Sequence, residues 1–136
     1  MKVLVVDGQG GKIGRVVIET VLKNFPDVEI TAVGTNSIAT STMIKGGAAH
    51  AATGENALKV ACRKADVIIG PIGIVIADAL LGEISPEMAV AVGQSNAKRI
   101  LIPINKCDNM VAGVCELTLS AVLDDVVDKL KKECCI

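Results

Sequence analysis

Residues 2–14, KVLVVDGQGGKIG, decide the fold of this chain. Lys2 to Asp7 form an almost continuous run of β-branched and aliphatic residues, typical of a strand buried on both faces. Four glycines follow within the next seven residues, and a helical pattern runs from Ile13 to Lys23 before Phe25-Pro26-Asp27. A buried strand, a glycine-rich turn and a helix in this order predict the first unit of a parallel α/β sheet.

The same alternation continues along the chain. Further strands are predicted at Glu29–Gly34, Ala48–Ala52, Asp66–Gly70 and Arg99–Ile104. Helices are predicted at Ser37–Lys45, at Glu55–Lys64, from Pro86 to about Ser95, and at the C-terminus on an apolar face of Leu119, Val122, Leu123, Val126 and Leu130. Because such crossovers are right-handed, we expect a three-layer, Rossmann-like α/β fold with strand order 3-2-1-4-5.

Two segments are harder to place in this pattern. Ile74–Gly82 is apolar nearly all round, which is compatible with a helix or an extended segment. Met110–Cys115 has the composition of a strand, but only about five residues separate it from the strand that ends at Ile104. Since a parallel crossover needs a dozen residues or more, Met110–Cys115 is predicted to be an antiparallel edge strand.

Length and composition limit the class of protein. The 136 residues fit a single domain over residues 1–136, and 51% hydrophobic with 21% charged residues exclude extensive disorder. A net charge of −1 and one aromatic residue, Phe25, argue against binding a nucleic-acid backbone or stacking its bases. No stretch resembles a signal peptide or a membrane span. We expect a cytoplasmic protein with neither nucleic-acid nor membrane partners.

The cysteines and the histidine indicate no metal site. The five cysteines are odd in number and form no C-x-x-C, and His50 is the only histidine. Cys62 lies on the apolar side of a predicted helix and is expected in the core. The roles of His50, Cys107, Cys134 and Cys135 stay open, with Cys107 either a nucleophile beside Lys106 or part of a plain loop.

The glycine-rich turn is the strongest indication of chemistry. Gly8, Gly11 and Gly14 follow the spacing G-x-x-G-x-x-G, with Gly10 in addition, and the turn resembles the loops of short-chain and dihydrodipicolinate-type reductases. Gly8 permits a tight turn, Gly10 and Gly11 allow a phosphate to approach backbone amides, and Gly14 allows close helix packing. The predicted phosphate-binding residues are Gly8, Gln9, Gly10, Gly11, Lys12, Ile13 and Gly14. The alternative is a tight turn that binds no ligand.

Two more turns are predicted at the same sheet edge. Where an NAD site has an acidic residue after the second strand, this chain has Thr35, Asn36 and Ser37, with neither an acid nor an arginine. These three residues line a pocket or only cap the next helix. Gly70, Pro71, Ile72 and Gly73 follow the fourth strand and should face Gly8–Gly14 across the switch point between the first and fourth strands. No catalytic residue is identified, and Asp7 either binds a hydroxyl or magnesium or accepts amides of its own loop.

Five stretches of the chain together resemble a known family. They are VDGQGGKIG at 6–14, GTNSIATSTMIKGGA at 34–48, TGENA at 53–57, GPIGI at 70–74 and LIPIN at 101–105. They resemble a family of small bacterial Rossmann-like proteins known only as a domain of unknown function. The resemblance implies a stand-alone cytoplasmic Rossmann-like domain, and it implies no activity or substrate.

Three hypotheses of function remain open. The first is binding of a phosphate-containing small molecule, a nucleotide or a dinucleotide such as NAD or NADP, in a small oxidoreductase. We then expect a homo-oligomer that completes the site, with the apolar stretch from Ile74 to Leu81 buried or at the interface. The second is a non-catalytic ligand-sensing module, and the third is a protein-interaction module whose loop is empty.

Overall fold

The computed structural model describes residues 1–104 and 108–133, which form a parallel sheet with helices on both faces. The strands are β1 Lys2–Asp7, β2 Glu29–Gly34, β3 His50–Thr53, β4 Val67–Pro71 and β5 Lys98–Ile102. Neighbouring strands pair in parallel throughout, in the order β3-β2-β1-β4-β5. The predicted α/β class and the strand order 3-2-1-4-5 are therefore confirmed.

The helices form the two outer layers. They are α1 Lys12–Asn24, α2 Ser37–Lys45, α3 Glu55–Lys64, α4 Pro86–Gly93 and α5 Leu119–Glu133, with a short 3₁₀ helix at Ile72–Val75. Val3 and Val5 of β1 pack in one buried cluster with α1, α2 and α5, whereas Leu4 and Val6 pack in another with α3 and α4. Both faces of β1 are buried because successive side chains of a strand alternate. In the described part of the chain, every helix is too short or too polar to cross a membrane.

The strand register brings the loops of interest to one edge of the sheet. Asp7 pairs with Gly34, and Gly34 pairs in turn with Thr53, so β1, β2 and β3 end level with one another. The strand order reverses between β1 and β4, which is the position where open α/β sheets bind ligands. The turns after β1, β2 and β4 therefore all lie at this edge of the sheet.

The predicted antiparallel edge strand at Met110–Cys115 is wrong. This segment forms turns, with Gly113 at φ +84° and the Val114 amide donating to the Val111 carbonyl at 3.3 Å. Met110 is 96% exposed, so the apolar composition of the segment does not reflect burial against the sheet. A turn held by its own backbone hydrogen bond cannot keep the extended geometry of a strand. The sheet in the described residues is entirely parallel.

The stretch Ile74–Gly82 adopts neither of its two predicted conformations. Ile74 closes into the 3₁₀ helix, and the following residues form consecutive turns in which the Asp78 amide donates to the Ile84 carbonyl at 2.7 Å. Ile74 and Leu80 are buried in the core, whereas Leu81 is exposed. Residues 76–84, hereafter the Glu83 segment, thus cross the end of the sheet as an irregular loop.

Candidate functional site

The turn after β1 is closed by its own backbone. The Gly11 amide donates to the Gly8 carbonyl at 2.9 Å, and the Arg15 amide donates to the Gly11 carbonyl at 3.0 Å to begin α1. Gly11 has φ +74°, and a Cβ atom there would lie 2.6 Å from the carbonyl oxygen of Ala39 in α2. Gly11 is therefore needed for the packing of two backbones against each other.

The other three glycines of the turn differ in the space around their Cβ positions. A Cβ atom on Gly14 would lie 2.5 Å from the Met43 sulfur, and one on Gly8 would lie 2.9 Å from Leu80. Around Gly10, by contrast, a Cβ atom would meet nothing within 4 Å. Gly8, Gly11 and Gly14 have packing roles, and Gly10 alone leaves the outer surface of the turn uncovered.

Asp7 fastens the turn to the start of α1. Its two carboxylate oxygens accept the amides of Gly8 and Gly14, each at 2.8 Å. Burial raises the pKa of Asp7, the hydrogen bonds from Gly14 and Gly8 oppose that rise, and the nearby Glu83 carboxylate adds to it. The interpretation of Asp7 as an acceptor for its own loop is confirmed.

Three backbone amides of the turn have no hydrogen-bond acceptor in the described part of the chain. The amides of Gly10, Lys12 and Ile13 make no hydrogen bond within residues 1–104 and 108–133. Lys12 and Ile13 are the first two residues of α1, where the helix dipole adds partial positive charge. Unpaired amide donors at a helix N-terminus are suited to bind an anionic group.

The residue that sequence reasoning missed is Glu83. Its Oε1 atom accepts hydrogen bonds from the Thr35 hydroxyl at 2.6 Å, the Gln9 amide at 2.8 Å and the Asn36 side-chain amide at 2.8 Å. Desolvation alone would raise the pKa of Glu83, but these three hydrogen bonds outweigh it and hold the pKa below its ordinary value. A carboxylate therefore stands where the turn after β1 meets the end of β2.

Of the predicted residues after β2, Asn36 has two structural roles. Its Oδ1 atom accepts the Ala39 amide at 2.8 Å and so caps α2, while its Nδ2 atom donates to the Gln9 carbonyl at 3.1 Å as well as to Glu83. Thr35 joins the same cluster through its hydroxyl. Ser37 is exposed at the first position of α2. Thr35 and Asn36 are thus brought to the glycine turn, and the helix-cap alternative holds for Asn36 at the same time.

The predicted residues after β4 lie at the same edge but are mostly covered. Gly70, Pro71 and Gly73 are buried, and Ile72 is partly exposed. A Cβ atom on Gly70 would lie 2.5 Å from the Val6 carbonyl, which shows how closely β4 and β1 run. Leu80 lies near both Gly8 and Gly73, so the Glu83 segment separates the two turns.

The remaining candidates lie away from this edge or outside the described residues. His50 is exposed at the start of β3, 3.8 Å from Glu29, and therefore stands at the opposite edge of the sheet. Cys62 is buried as predicted, and burial raises the pKa of its thiol to about 11. Cys107, Cys134 and Cys135 lie outside the described residues. No group of three or more potential ligands in the described ranges is placed to hold a metal ion.

Two of the cavities on the described part of the molecule lie around α3. One of about 660 Å³ lies between α3 and α4, and one of about 520 Å³ lies beside α3 against β1, β2 and β3. Neither is lined by the glycine turn or by Glu83. We place the candidate site at the turn because hydrogen-bond donors and a carboxylate converge there, whereas volume alone indicates no chemistry.

Comparison with known proteins shows a family and a fold. A family profile described as "Domain of unknown function (DUF3842)" matches residues 2–135. No curated protein matches the chain. Apo histidine-tagged saccharopine dehydrogenase (L-Glu forming) from Saccharomyces cerevisiae is similar in structure, with a TM-score of 0.51 and 15% identity over 92% of this chain. The chain spans 23% of that enzyme's length. A dodecameric FMN-dependent UbiX-like decarboxylase from Escherichia coli O157:H7 gives a TM-score of 0.48 and 16% identity, with 96% of this chain and 95% of that chain covered.

Proposed function

The chain belongs to this family of unknown function, the domain DUF3842, and we propose that it binds a nucleotide or dinucleotide through the turn Gly8–Gly14. The phosphates lie against the amides of Gly10, Lys12 and Ile13. The ligand is a phosphate-containing small molecule, and NAD and NADP are the candidate cofactors. The likeness to the saccharopine dehydrogenase structure supports the Rossmann-like fold alone, so the ligand is inferred from the residues of the site.

The single observation that carries the proposal is the set of unpaired amides beside Gly10. Most amides of a tight turn are satisfied within it, as those of Gly8, Gly11 and Gly14 are here. The three left over sit at the switch point of a parallel sheet and at the start of a helix. Gly10 leaves room for a ligand to reach them, because no side chain stands over it.

Within this proposal, residues 1–136 form a single nucleotide-binding domain. Thr35, Asn36 and Ser37 are its second contact region. The turn Gly70–Gly73 is its third, and Ile72 is the partly exposed residue of that turn. If the bound ligand is a nicotinamide dinucleotide, the protein is a small oxidoreductase, and a homo-oligomer completes its substrate site. Leu81 in the Glu83 segment is exposed, and it is an apolar side chain of this edge available for such an interface.

A second candidate, a non-catalytic ligand-sensing module, is favoured by the state of the carboxylates. Both oxygens of Asp7 are occupied by amides of its own loop. Hydrogen bonding lowers the pKa of Glu83, which makes it a poor proton donor or acceptor near neutral pH. A turnover assay with a reduced nicotinamide and a panel of carbonyl compounds as hydride acceptors distinguishes the two candidates, since an oxidoreductase passes the hydride to its acceptor, whereas a sensor binds the dinucleotide without oxidising it.

The first test is the ultraviolet spectrum of the purified protein, followed by calorimetric titration with NAD, NADP and ADP. The chain contains no tryptophan or tyrosine and one phenylalanine, so a nucleobase band stands out clearly. We expect such a band, or saturable binding of at least one of the three nucleotides. Binding should weaken about tenfold or more in Gly10→Val, because the added side chain covers the free amides.

Gly93→Val is the matched control. A Cβ atom on Gly93 also meets nothing within 4 Å, and the residue ends α4, away from the glycine turn. This variant should bind as the wild type does. A transparent spectrum together with no binding of any nucleotide, or equal weakening by both variants, would contradict the proposed site.

A further inference from the structure

We propose that Glu83 is the ribose-binding carboxylate of this site, delivered from the connection between β4 and α4. It selects nucleotides with a free 2′-hydroxyl and rejects those with a 2′-phosphate. The inference rests on the proposed function, since it names the class of nucleotide that the same site accepts. NAD and ADP belong to the accepted class and NADP to the rejected one.

The Glu83 carboxylate lies beside the end of β2. Dinucleotide-binding sheets carry an acidic residue at the end of β2, where it accepts the ribose hydroxyls. In this chain β2 ends at Gly34 and no acid follows it directly. The Glu83 carboxylate nevertheless lies 2.6 Å from Thr35 and 2.8 Å from Asn36, the first two residues after that strand. The tertiary fold thus places an acid where the local sequence has none.

The two carboxylate oxygens of Glu83 differ in their hydrogen bonding. The hydrogen bonds from Thr35, Gln9 and Asn36 all end on Oε1. Oε2 accepts no hydrogen bond from any residue in the ranges 1–104 and 108–133. A carboxylate has acceptor capacity on both oxygens, so Oε2 is free to accept from a ligand hydroxyl while Oε1 holds the side chain in place.

The negative charge of Glu83 is not neutralised by an ion pair in the described residues. Three donors stabilise the ionised form of Glu83, and within the described residues no lysine or arginine forms an ion pair with it. An ionised carboxylate only accepts hydrogen bonds, which suits the hydroxyls of a ribose. The same negative charge repels a 2′-phosphate, and Thr35–Ser37, the residues that follow β2, include no arginine to neutralise one.

The acceptor and the unpaired donors follow one another along the turn in the order of the groups in a nucleotide. Glu83 occupies the amide of Gln9, whereas the unpaired amides belong to Gly10, Lys12 and Ile13. A ribose at Glu83 therefore lies next to phosphates on the following residues, as the covalent order of a nucleotide requires. A phosphate at Gln9 would meet the Glu83 carboxylate directly, so the negative groups of the ligand must lie further along α1.

The experiment is calorimetric titration of wild type, Glu83→Gln and Glu29→Gln with NAD and NADP. Glu29→Gln removes the same charge from an exposed side chain at the other end of β2. We expect wild type to bind NAD about tenfold or more tightly than NADP. Glu83→Gln should weaken the binding of NAD by about 10- to 100-fold and reduce the preference for NAD over NADP. Glu29→Gln should change neither the affinity for NAD nor that preference.

A comparison of ADP with 2′-deoxy-ADP on wild type needs no variant and is unaffected by any loss of stability in Glu83→Gln. We expect 2′-deoxy-ADP to bind about tenfold more weakly. If wild type binds neither dinucleotide nor ADP, this inference and the proposed function both fail. If it binds NAD and NADP equally, or NADP more tightly, only this inference fails. Tighter binding of both dinucleotides by Glu83→Gln would mean that Glu83 competes with the ligand, and would overturn the inference alone.

Discussion

At the scale of the residue, the carbonyl oxygen of Ala39 leaves no space for a side chain at position 11. The Ala39 carbonyl would lie 2.6 Å from a Cβ atom on Gly11, and the backbone there has φ +74°. The left-handed conformation costs an ordinary residue about 1–2 kcal/mol, and the clash with fixed backbone adds to it. We expect Gly11→Ala to lower the free energy of unfolding by about 2 kcal/mol or more, measured by urea unfolding followed with far-ultraviolet circular dichroism.

Gly10→Ala is the control for this prediction. Gly10 has open space around its Cβ position and no positive φ. We expect the free energy of unfolding to change by less than about 0.5 kcal/mol. Equal losses in the two variants would show that the turn tolerates no side chain anywhere. Because a side chain at position 11 is expected to disrupt packing and lower stability, Gly10 is the better position at which to test ligand binding.

At the scale of the element, the Glu83 segment is held in an unfavourable conformation. Asp78, Leu80 and Leu81 have φ of +66°, +57° and +58°, a region that ordinary side chains rarely occupy. Leu81 is 95% exposed, so its side chain contributes little packing in return. Leu81→Gly should stabilise the protein by up to about 1 kcal/mol in thermal or urea unfolding, since relief of the backbone exceeds the entropy cost of glycine.

Leu80→Gly relieves the same kind of backbone strain, but we expect it to lower the stability of the protein. Leu80 has nearly the same φ, but it is 2% exposed and packs in the core beneath α4. The loss of its buried side chain should destabilise the protein by about 2–5 kcal/mol. If Leu81→Gly is also destabilising, the segment is not strained at that position.

At the scale of the whole molecule, the last helix completes the core of the first strand. Leu130 of α5 is 0% exposed and belongs to the same buried cluster as Val3 of β1 and Ile102 of β5. We expect Leu130→Ala to lower the free energy of unfolding by about 2–5 kcal/mol, because it leaves a cavity under the sheet. Urea unfolding followed by circular dichroism measures this change.

Leu119→Ala, at the start of the same helix, is the matched control. Leu119 is 37% exposed and lies outside the buried clusters. Its replacement should cost less than about 1 kcal/mol, since little apolar area returns to water. If both leucine variants unfold at the same urea concentration, α5 does not form part of the cooperative core.

Much of the fold was predictable because its signals are local. The buried run of β1, the Ser85-Pro86 start of α4 and the amphipathic face of α5 each lie within a few consecutive residues. The edge strand at Met110–Cys115 was mispredicted because apolar composition does not distinguish a buried strand from an exposed turn. In that segment the backbone hydrogen bond of Val114 decides the conformation.

The layers, the strand order and the position of the glycine turn could be predicted from the amino-acid sequence, because periodicity and glycine spacing act over short stretches of chain. Which side chains lie beside that turn depends on the tertiary fold. Glu83 reaches Thr35 across 48 positions of sequence, through a segment without regular periodicity. The structure also assigned Gly11 to packing and left Gly10 open, because a glycine's role depends on which backbone lies opposite it.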